Sequence, residues 1–362
     1  MSAFAIACGG TGGHVLPGLA VAQVLRQRGH ETTLWLTDRA IEADVARDWS
    51  GPRIHIPSDG FQYGASWKTV RAAWRLGGAV WASTRRMRDA PPAALLAMGS
   101  YACFGPALAA RRLGVPLVLH EANVLPGRAV RLLARGAHTI AASFEESRYY
   151  LQGRPVVVTG MPLRPGLEAP DPGQRLPGLE TARFIVLVMG GSGGAQALNR
   201  AACEALGALG SAGSGLGVIH LTGPADAAWV QAAYEQAGLP HFVRAFHADM
   251  AAVYRHAQLA LCRAGAATCA ELAAFGLPAL LIPYPHASND HQTANARALE
   301  KADAADVVLE RDLTADWLRE YVANRSAQPE TLARMSAAGR KCAPQDAAAR
   351  VADLLEAAAC AG

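Results

Sequence analysis

The sequence predicts an α/β fold built from two Rossmann-like domains, with parallel sheets facing across a cleft. Three observations carry this. The chain has 362 residues, and cores stop growing well before that length, so two domains of roughly 150 residues or more are expected. Each half opens alike, with an apolar strand, a glycine turn and a helix. Short apolar runs then alternate with helical stretches, which is the rhythm of a parallel sheet.

Phe4 to Cys8 is an apolar run that ends in Gly9-Gly10-Thr11-Gly12-Gly13-His14, and Val15 to Arg28 follows with helical periodicity. That order reads as strand, turn, helix. Further strands are expected at Thr32 to Leu36, Ala94 to Met98, Pro116 to Leu119 and Val156 to Val158. Ala/Arg-rich stretches between them supply the helices. Residues Gly160 to Ala182 are dense in Pro and Gly without periodicity, and are expected to link the domains. The opening pattern then recurs as a strand at Phe184 to Met189, a turn at Gly190 to Gly194 and a helix at Ala195 to Gly207. Strands near Val218 to Thr222, Gln258 to Cys262 and Ala279 to Pro283 continue the second half. The expected divisions are 1–162, 163–340, and a C-terminal helix at 341–362 that packs back on the first domain.

A composition 51% hydrophobic and 18% charged describes an ordered enzyme rather than a disordered chain. No apolar run reaches the roughly 18 residues of a membrane span, and the start MSAFAIACGGTGGH lacks the basic segment of a signal peptide. The expected place is therefore the cytoplasm. Seven scattered cysteines show no metal-binding spacing and read as reduced thiols, mostly buried. A net charge of +4 names no nucleic-acid partner, though it suits an anionic substrate or lipid surface.

The first glycine loop opens a helix, so its N–H groups and the helix dipole form a phosphate site. Close packing of helix on strand would use the same glycines. Asp38, near the end of the second strand, sits where a dinucleotide fold places an acid, which keeps a nicotinamide-dependent oxidoreductase in play. His14 beside such a site could take a proton from an attacking sugar hydroxyl, or merely hydrogen-bond the backbone. In the second loop Ser192 can add a hydroxyl to a phosphate, and Arg164 can offer a cation to a leaving diphosphate or sit solvated. In Arg263 to Leu272 small residues admit a ligand to the backbone, Thr268 can bond a phosphate, and Glu271 can accept from a ribose diol or complement the helix dipole. The polar stretch Pro283 to Asn295 suits sugar recognition.

Trp67, Trp74 and Trp81 recur every seven residues among Lys68, Arg71, Arg75, Arg85, Arg86 and Arg88. On a helix they share one face, which either rests on an anionic membrane or faces the core.

Taken together, GGTGGHVLPGLAVA, GSYACFGP, HEANVLPGRA, TGMPLRP, VMGGSGGAQALN and ADMAAVYRHAQLALCRAGAATCAELAAFGLPALLIPYPHASNDHQTANA resemble, in order and spacing, the MurG glycosyltransferases. The resemblance implies a GT-B fold and inverting transfer of N-acetylglucosamine from UDP-GlcNAc to the C4 hydroxyl of an undecaprenyl-diphosphate-linked muramyl pentapeptide, the step from lipid I to lipid II in peptidoglycan synthesis. It implies His14 as the candidate base. UDP-GlcNAc contacts are implied at Thr11, Gly12, Gly13, Asn123, Arg164, Ser192, the backbone near His247, Ala266, Ala267, Thr268, Cys269, Ala270, Glu271 and Gln292. Gly10, His14 and Tyr101 are implied for the lipid-linked acceptor. It further implies peripheral attachment to the cytoplasmic face of the inner membrane, through Trp67, Trp74, Trp81, Lys68, Arg71 and Arg75, and partners among cell-wall synthesis proteins. No cofactor and no metal is expected, since nothing here looks like the acidic pair that holds a metal against a nucleotide. Two positions depart from the family: Gly193 stands where a Gln is common, and Ala264 where a Ser is common.

A glycolipid or natural-product glycosyltransferase would keep the fold and change the acceptor. The oxidoreductase leaves the second loop and the Glu271 segment unexplained. A non-catalytic membrane-surface scaffold would leave the polar motifs without a task.

Overall fold

The computed structural model describes residues 1–10, 12–39, 42, 45–47, 49–56, 67–164, 166–167, 176–191, 193–211, 215–344 and 346–361, with the side chains of 67–73 outside that description. The chain divides into two compact units, Met1–Pro165 with Gln345–Gly362, and Gly166–Pro344.

The first unit contains β1 (Ala3–Ala7), α1 (Gly12–Gln27), β2 (Glu31–Leu36), β3 (Arg53–His55), α2 (Trp67–Asp89), β4 (Ala94–Ala97), α3 (Phe104–Leu113), β5 (Leu117–Glu121), α4 (Arg128–Leu133), β6 (Thr139–Ala142), α5 (Ser147–Tyr150) and β7 (Val156–Val158). Its strands form one seven-stranded sheet in the order β3-β2-β1-β4-β5-β6-β7, and every pairing is parallel. Both faces are covered. Ala5, Ala7, Leu95 and Leu119 join one core with Phe104 and Met87. Their strand neighbours Phe4, Ile6, Leu96 and Val118 join another with Val15 and Leu25. A strand buried on both sides has no polar positions to alternate, which is why these strands read as continuous apolar runs.

The second unit contains β8 (Phe184–Met189), α6 (Gln196–Ser211), β9 (Leu216–Leu221), α7 (Ala227–Gln236), β10 (His241–Arg244), α8 (Met250–His256), β11 (Leu259–Cys262), α9 (Ala266–Phe275), β12 (Ala279–Leu281), α10 (His291–Lys301), β13 (Ala305–Val307), α11 (Ala315–Ser326) and α12 (Pro329–Cys342). Its sheet runs β10-β9-β8-β11-β12-β13, again parallel throughout. In both sheets the strand order reverses beside the first strand of the unit, at β1/β4 and at β8/β11. That reversal opens a crevice at the carboxyl ends, where ligands of such sheets bind.

The last helix, α13 (Ala347–Ala361), belongs to the first unit. Val351 and Leu355 enter the core beside α1, and Arg28 pairs with Asp353 and Glu356, each at 2.7 Å.

Four strands carry no sequence signal strong enough to predict them: β3, β6, β10 and β13. Each has three or four residues, and charged or small side chains interrupt them. The Pro/Gly-rich segment is partly anchored, since Leu167, Leu176 and Leu179 are buried. The thiols divide: Cys8, Cys103, Cys262 and Cys269 are buried, Cys203 is half-buried, and Cys342 and Cys360 are exposed. No helix among the described residues is long and apolar enough to cross a membrane.

Candidate functional site

In the first unit, β1 delivers Gly9 and Gly10 to the strand-order reversal. Gly10 has φ +125°, and a Cβ there would lie 3.0 Å from Cβ of Ser100, so only glycine fits. The loop is held by side chains on three sides. Ser100 Oγ donates to the Gly9 carbonyl at 2.5 Å, Arg39 donates to the Gly10 carbonyl at 2.6 Å, and the Gly10 N–H donates to Glu42 Oε1 at 2.6 Å. Gly10, expected at the acceptor, thus has both backbone groups engaged within the protein. Gly12, Gly13 and His14 form the first turn of α1. Thr11 lies outside the described residues.

The His14 imidazole is half-buried. Desolvation lowers its pKa to about 4, and the Glu42 carboxylate pulls in the opposite direction. The ring is therefore neutral at pH 7, the form a proton acceptor needs. Behind it, His120 is fully buried, and its pKa is lowered to about 3 by burial and then by His14's charge.

After β5 the chain reads His120-Glu121-Ala122-Asn123. Glu121 is buried, and its carboxylate accepts from the N–H groups of Asn123 and Gly127, both at 2.8 Å. The Asn123 amide also reaches it, at 3.3 Å. Burial raises the Glu121 pKa to about 7 against these donors. The carboxylate folds the β5–α4 turn around itself and so presents Asn123. Tyr101 is 38% exposed, with its ring stacked on Phe104 at 6.1 Å between centroids. Arg164 is half-buried in the segment after β7 and falls in the first unit.

In the second unit the loop after β8 is shaped by packing. Gly194 has φ +77°, and a Cβ there would stand 2.4 Å from the Thr222 carbonyl oxygen. Thr222 is itself fixed beneath: Asn199 donates to its carbonyl at 3.0 Å, and His220, between Asn199 and Tyr234, holds Asn199 by its side-chain oxygen at 3.0 Å. Ser192 lies outside the described residues.

Helix α9 begins after the Gly265 N-cap. Ala266, Ala267, Thr268 and Ala270 are half-buried, whereas Cys269 is fully buried. Small residues at this first turn leave the helix N-terminus approachable, which is what an anion site requires. Glu271 is only 4% exposed, and its Oε2 accepts from the Tyr254 hydroxyl at 2.6 Å.

Two residues of α10 hold the loop before α9. Gln292 Oε1 accepts from the N–H groups of Ala264 at 3.2 Å and Tyr284 at 3.0 Å, and Asn295 donates to the Ala264 carbonyl at 3.2 Å. Arg263 braces the same loop from below, donating to the Ile282 and Pro283 carbonyls at 3.2 Å and pairing with Glu310. His247, after β10, packs edge-on against Phe242 at 5.4 Å, and its Nε2 is buried without a hydrogen-bond partner.

Helix α2 faces two ways. Ala79 and Met87 are buried, while Trp74 is 82% exposed and Trp81 67% exposed. The core-facing alternative for these tryptophans therefore fails. Arg75 is exposed beside them, and the Arg85 guanidinium lies 6.0 Å from the Trp81 ring centre. Trp67, Lys68 and Arg71 start the same helix, with side chains outside those described.

Asp38 does not serve as a ribose-binding acid would. It is exposed and pairs with His55 at 3.1 Å, whereas the acid that reaches the glycine loop is Glu42, four residues on. Sequence reasoning missed Glu42 and Tyr254. An acid shortly after the second strand was the available signal for Glu42, and Asp38 drew it instead. Among the described residues, no group of three or more His, Cys, Asp or Glu side chains could hold a metal ion.

Comparison with known proteins gives a consistent picture. The glycosyltransferase family 28 N-terminal domain matches residues 4–142, and the family 28 C-terminal domain matches 185–351. A UDP-N-acetylglucosamine--N-acetylmuramyl-(pentapeptide) pyrophosphoryl-undecaprenol N-acetylglucosamine transferase of Acidithiobacillus ferrooxidans is 42% identical over 349 residues, 96% of this chain and 95% of its own. A protein of the same description from Hahella chejuensis is 39% identical, over 96% of each chain. Among solved structures, Acinetobacter baumannii MurG superposes with a TM-score of 0.77 at 29% identity, covering 98% of this chain and 99% of its own.

Proposed function

Because the chain belongs to the MurG family of glycosyltransferases, we infer that it transfers N-acetylglucosamine from UDP-GlcNAc to the C4 hydroxyl of the lipid-linked muramyl pentapeptide, converting lipid I to lipid II. The observation that carries this is identity of about 40% with enzymes so described, sustained over nearly the whole of both chains.

We assign the donor to the second unit. The N-terminus of α9 and the glycine loop after β8 offer N–H groups to the diphosphate, and their dipole favours the charge that builds on UDP as the glycosidic bond breaks. Thr268 and Ser192 add hydroxyls, Glu271 accepts from the ribose, the backbone near His247 reads uracil, and Gln292 serves the sugar. In the first unit, His14 takes the proton from the attacking hydroxyl, with Gly10 and Tyr101 on the acceptor side. The transfer then proceeds as one displacement with inversion, one base sufficing. The cation-flanked, exposed Trp74 and Trp81 support peripheral attachment to an anionic membrane, where such an acceptor resides.

The test is transfer of labelled N-acetylglucosamine to a lipid I analogue by wild type, His14→Ala and Glu271→Ala. Transfer that collapses in both variants is expected. Tight UDP-GlcNAc binding by wild type without transfer would assign a different acceptor.

A further inference from the structure

We propose that Glu42 is a positioning residue for this transfer: its carboxylate locks the glycine loop that leads into His14 and places a buried negative charge on that loop, where it favours the imidazolium formed when His14 takes the acceptor proton. The proposal rests on the reading of His14 given above.

The carboxylate is 1% exposed. Burying a charge so completely is unfavourable unless hydrogen bonds compensate it, and the donors it has gathered come from two places. Oε1 accepts from the Gly10 N–H at 2.6 Å and from the Thr37 hydroxyl. Oε2 accepts from the Thr37 N–H at 2.6 Å. One side chain thus ties the end of β2 to the loop after β1, at the strand-order reversal. The tie falls on Gly10, whose φ of +125° only glycine adopts readily. With Arg39 on the Gly10 carbonyl and Ser100 on the Gly9 carbonyl, the Gly9 and Gly10 backbone is held by side chains from three sides. A group held this way confers rate by orientation, since a displacement of about 1 Å can cost about 10²-fold in turnover.

The charge has a second effect. Glu42 acts on the His14 imidazole, favouring its protonated form, while desolvation opposes it. Among the described residues, His120 is also coupled to His14, and Arg39 is a cation held at the loop. Glu42 is thus a buried anion on the loop that favours a proton in transit on His14.

The experiment compares Glu42→Gln and Thr37→Val with wild type in three readouts: kcat and KM for each substrate, UDP-GlcNAc affinity by calorimetry, and the His14 titration by nitrogen-15 NMR. Glu42→Gln keeps the size but turns an amide NH2 toward N–H donors and removes the charge. Its kcat is expected to fall about 10²-fold with UDP-GlcNAc affinity unchanged, and its His14 pKa to move down. Thr37→Val keeps the carboxylate and should lose less turnover, with the His14 titration unmoved. Wild-type kcat in Glu42→Gln, or a loss matching only its unfolded fraction with His14 titrating as in wild type, would overturn the proposal. If wild type itself transfers nothing to the acceptor, the functional reading fails separately, and the NMR titration still decides whether Glu42 acts on His14.

Discussion

The Tyr254 hydroxyl donates to Oε2 of Glu271 at 2.6 Å, and both side chains are buried, at 3% and 4% exposure. Glu271 lies on α9 and Tyr254 on α8, so the bond fixes the carboxylate's rotamer from a neighbouring helix. An orienting bond of this kind to a charged group is worth about 1.5 to 3 kcal/mol. Tyr254→Phe is therefore expected to weaken UDP-GlcNAc binding roughly tenfold, and Glu271→Ala to weaken it further. Calorimetric titration with UDP-GlcNAc checks both. Equal affinity in Tyr254→Phe and wild type would mean that Glu271 needs no such support.

Gln292 has its oxygen committed to the N–H groups of Ala264 and Tyr284, which leaves its NH2 as the group to meet a sugar hydroxyl. Glu at this position keeps the acceptor and removes the donor. Gln292→Glu should thus melt close to wild type, bind UDP about as well, and lose affinity for UDP-GlcNAc by about tenfold. Gln292→Ala releases the loop as well and should lose affinity for both ligands. Competition of UDP against UDP-GlcNAc separates the two effects, and equal losses in Gln292→Glu would contradict the division.

Legibility followed continuous apolar runs. The long strands that nucleate each sheet, β1 and β8, are apolar on both faces and announce themselves, as do the glycine turns after them. The strands β3, β6, β10 and β13 are formed by their neighbours rather than by their own residues, so the local pattern is silent. The same holds for the site. Glycines and first-turn residues of α1 and α9 are contiguous and readable, whereas Glu42 and Tyr254 act through contacts that exist only once the chain is folded. Asp38 was the plausible acid by spacing, but it ends in solvent on His55, because side-chain reach after a strand is set by the turn and not by the count of residues.

The two histidines most deeply enclosed, His120 and His220, make stability depend on pH. Burial lowers each to about 3, against about 6.5 in an unfolded chain. Such a ring binds its proton more readily when unfolded, so its contribution is complete above about pH 6.5 and declines as the pH falls. By pH 4 each could remove on the order of 3 kcal/mol. Glu121 runs the other way: raised to about 7, it contributes fully below its unfolded value and loses that contribution as the pH rises through 7. Urea midpoints between pH 4 and 8.5 are expected to peak between about pH 5 and 7. A midpoint still rising as the pH approaches 4 would rule this out.

Membrane attachment predicts a clean separation between binding and folding. Trp74 and Trp81 bury little of their surface, so Trp74→Ala and Trp81→Ala should each change stability by no more than about 0.5 kcal/mol. An indole at a bilayer interface, by contrast, contributes apolar contact there, and each neighbouring arginine adds about 1 kcal/mol on an anionic surface. The double tryptophan variant, and separately Arg85→Glu with Arg88→Glu, should lose most cosedimentation with vesicles containing anionic lipid while melting like wild type. Neutral vesicles should bind all forms weakly, and added salt should release wild type from the anionic ones, because the attraction is screened within a Debye length. Variants that keep full binding to anionic vesicles would place the attachment elsewhere on the molecule.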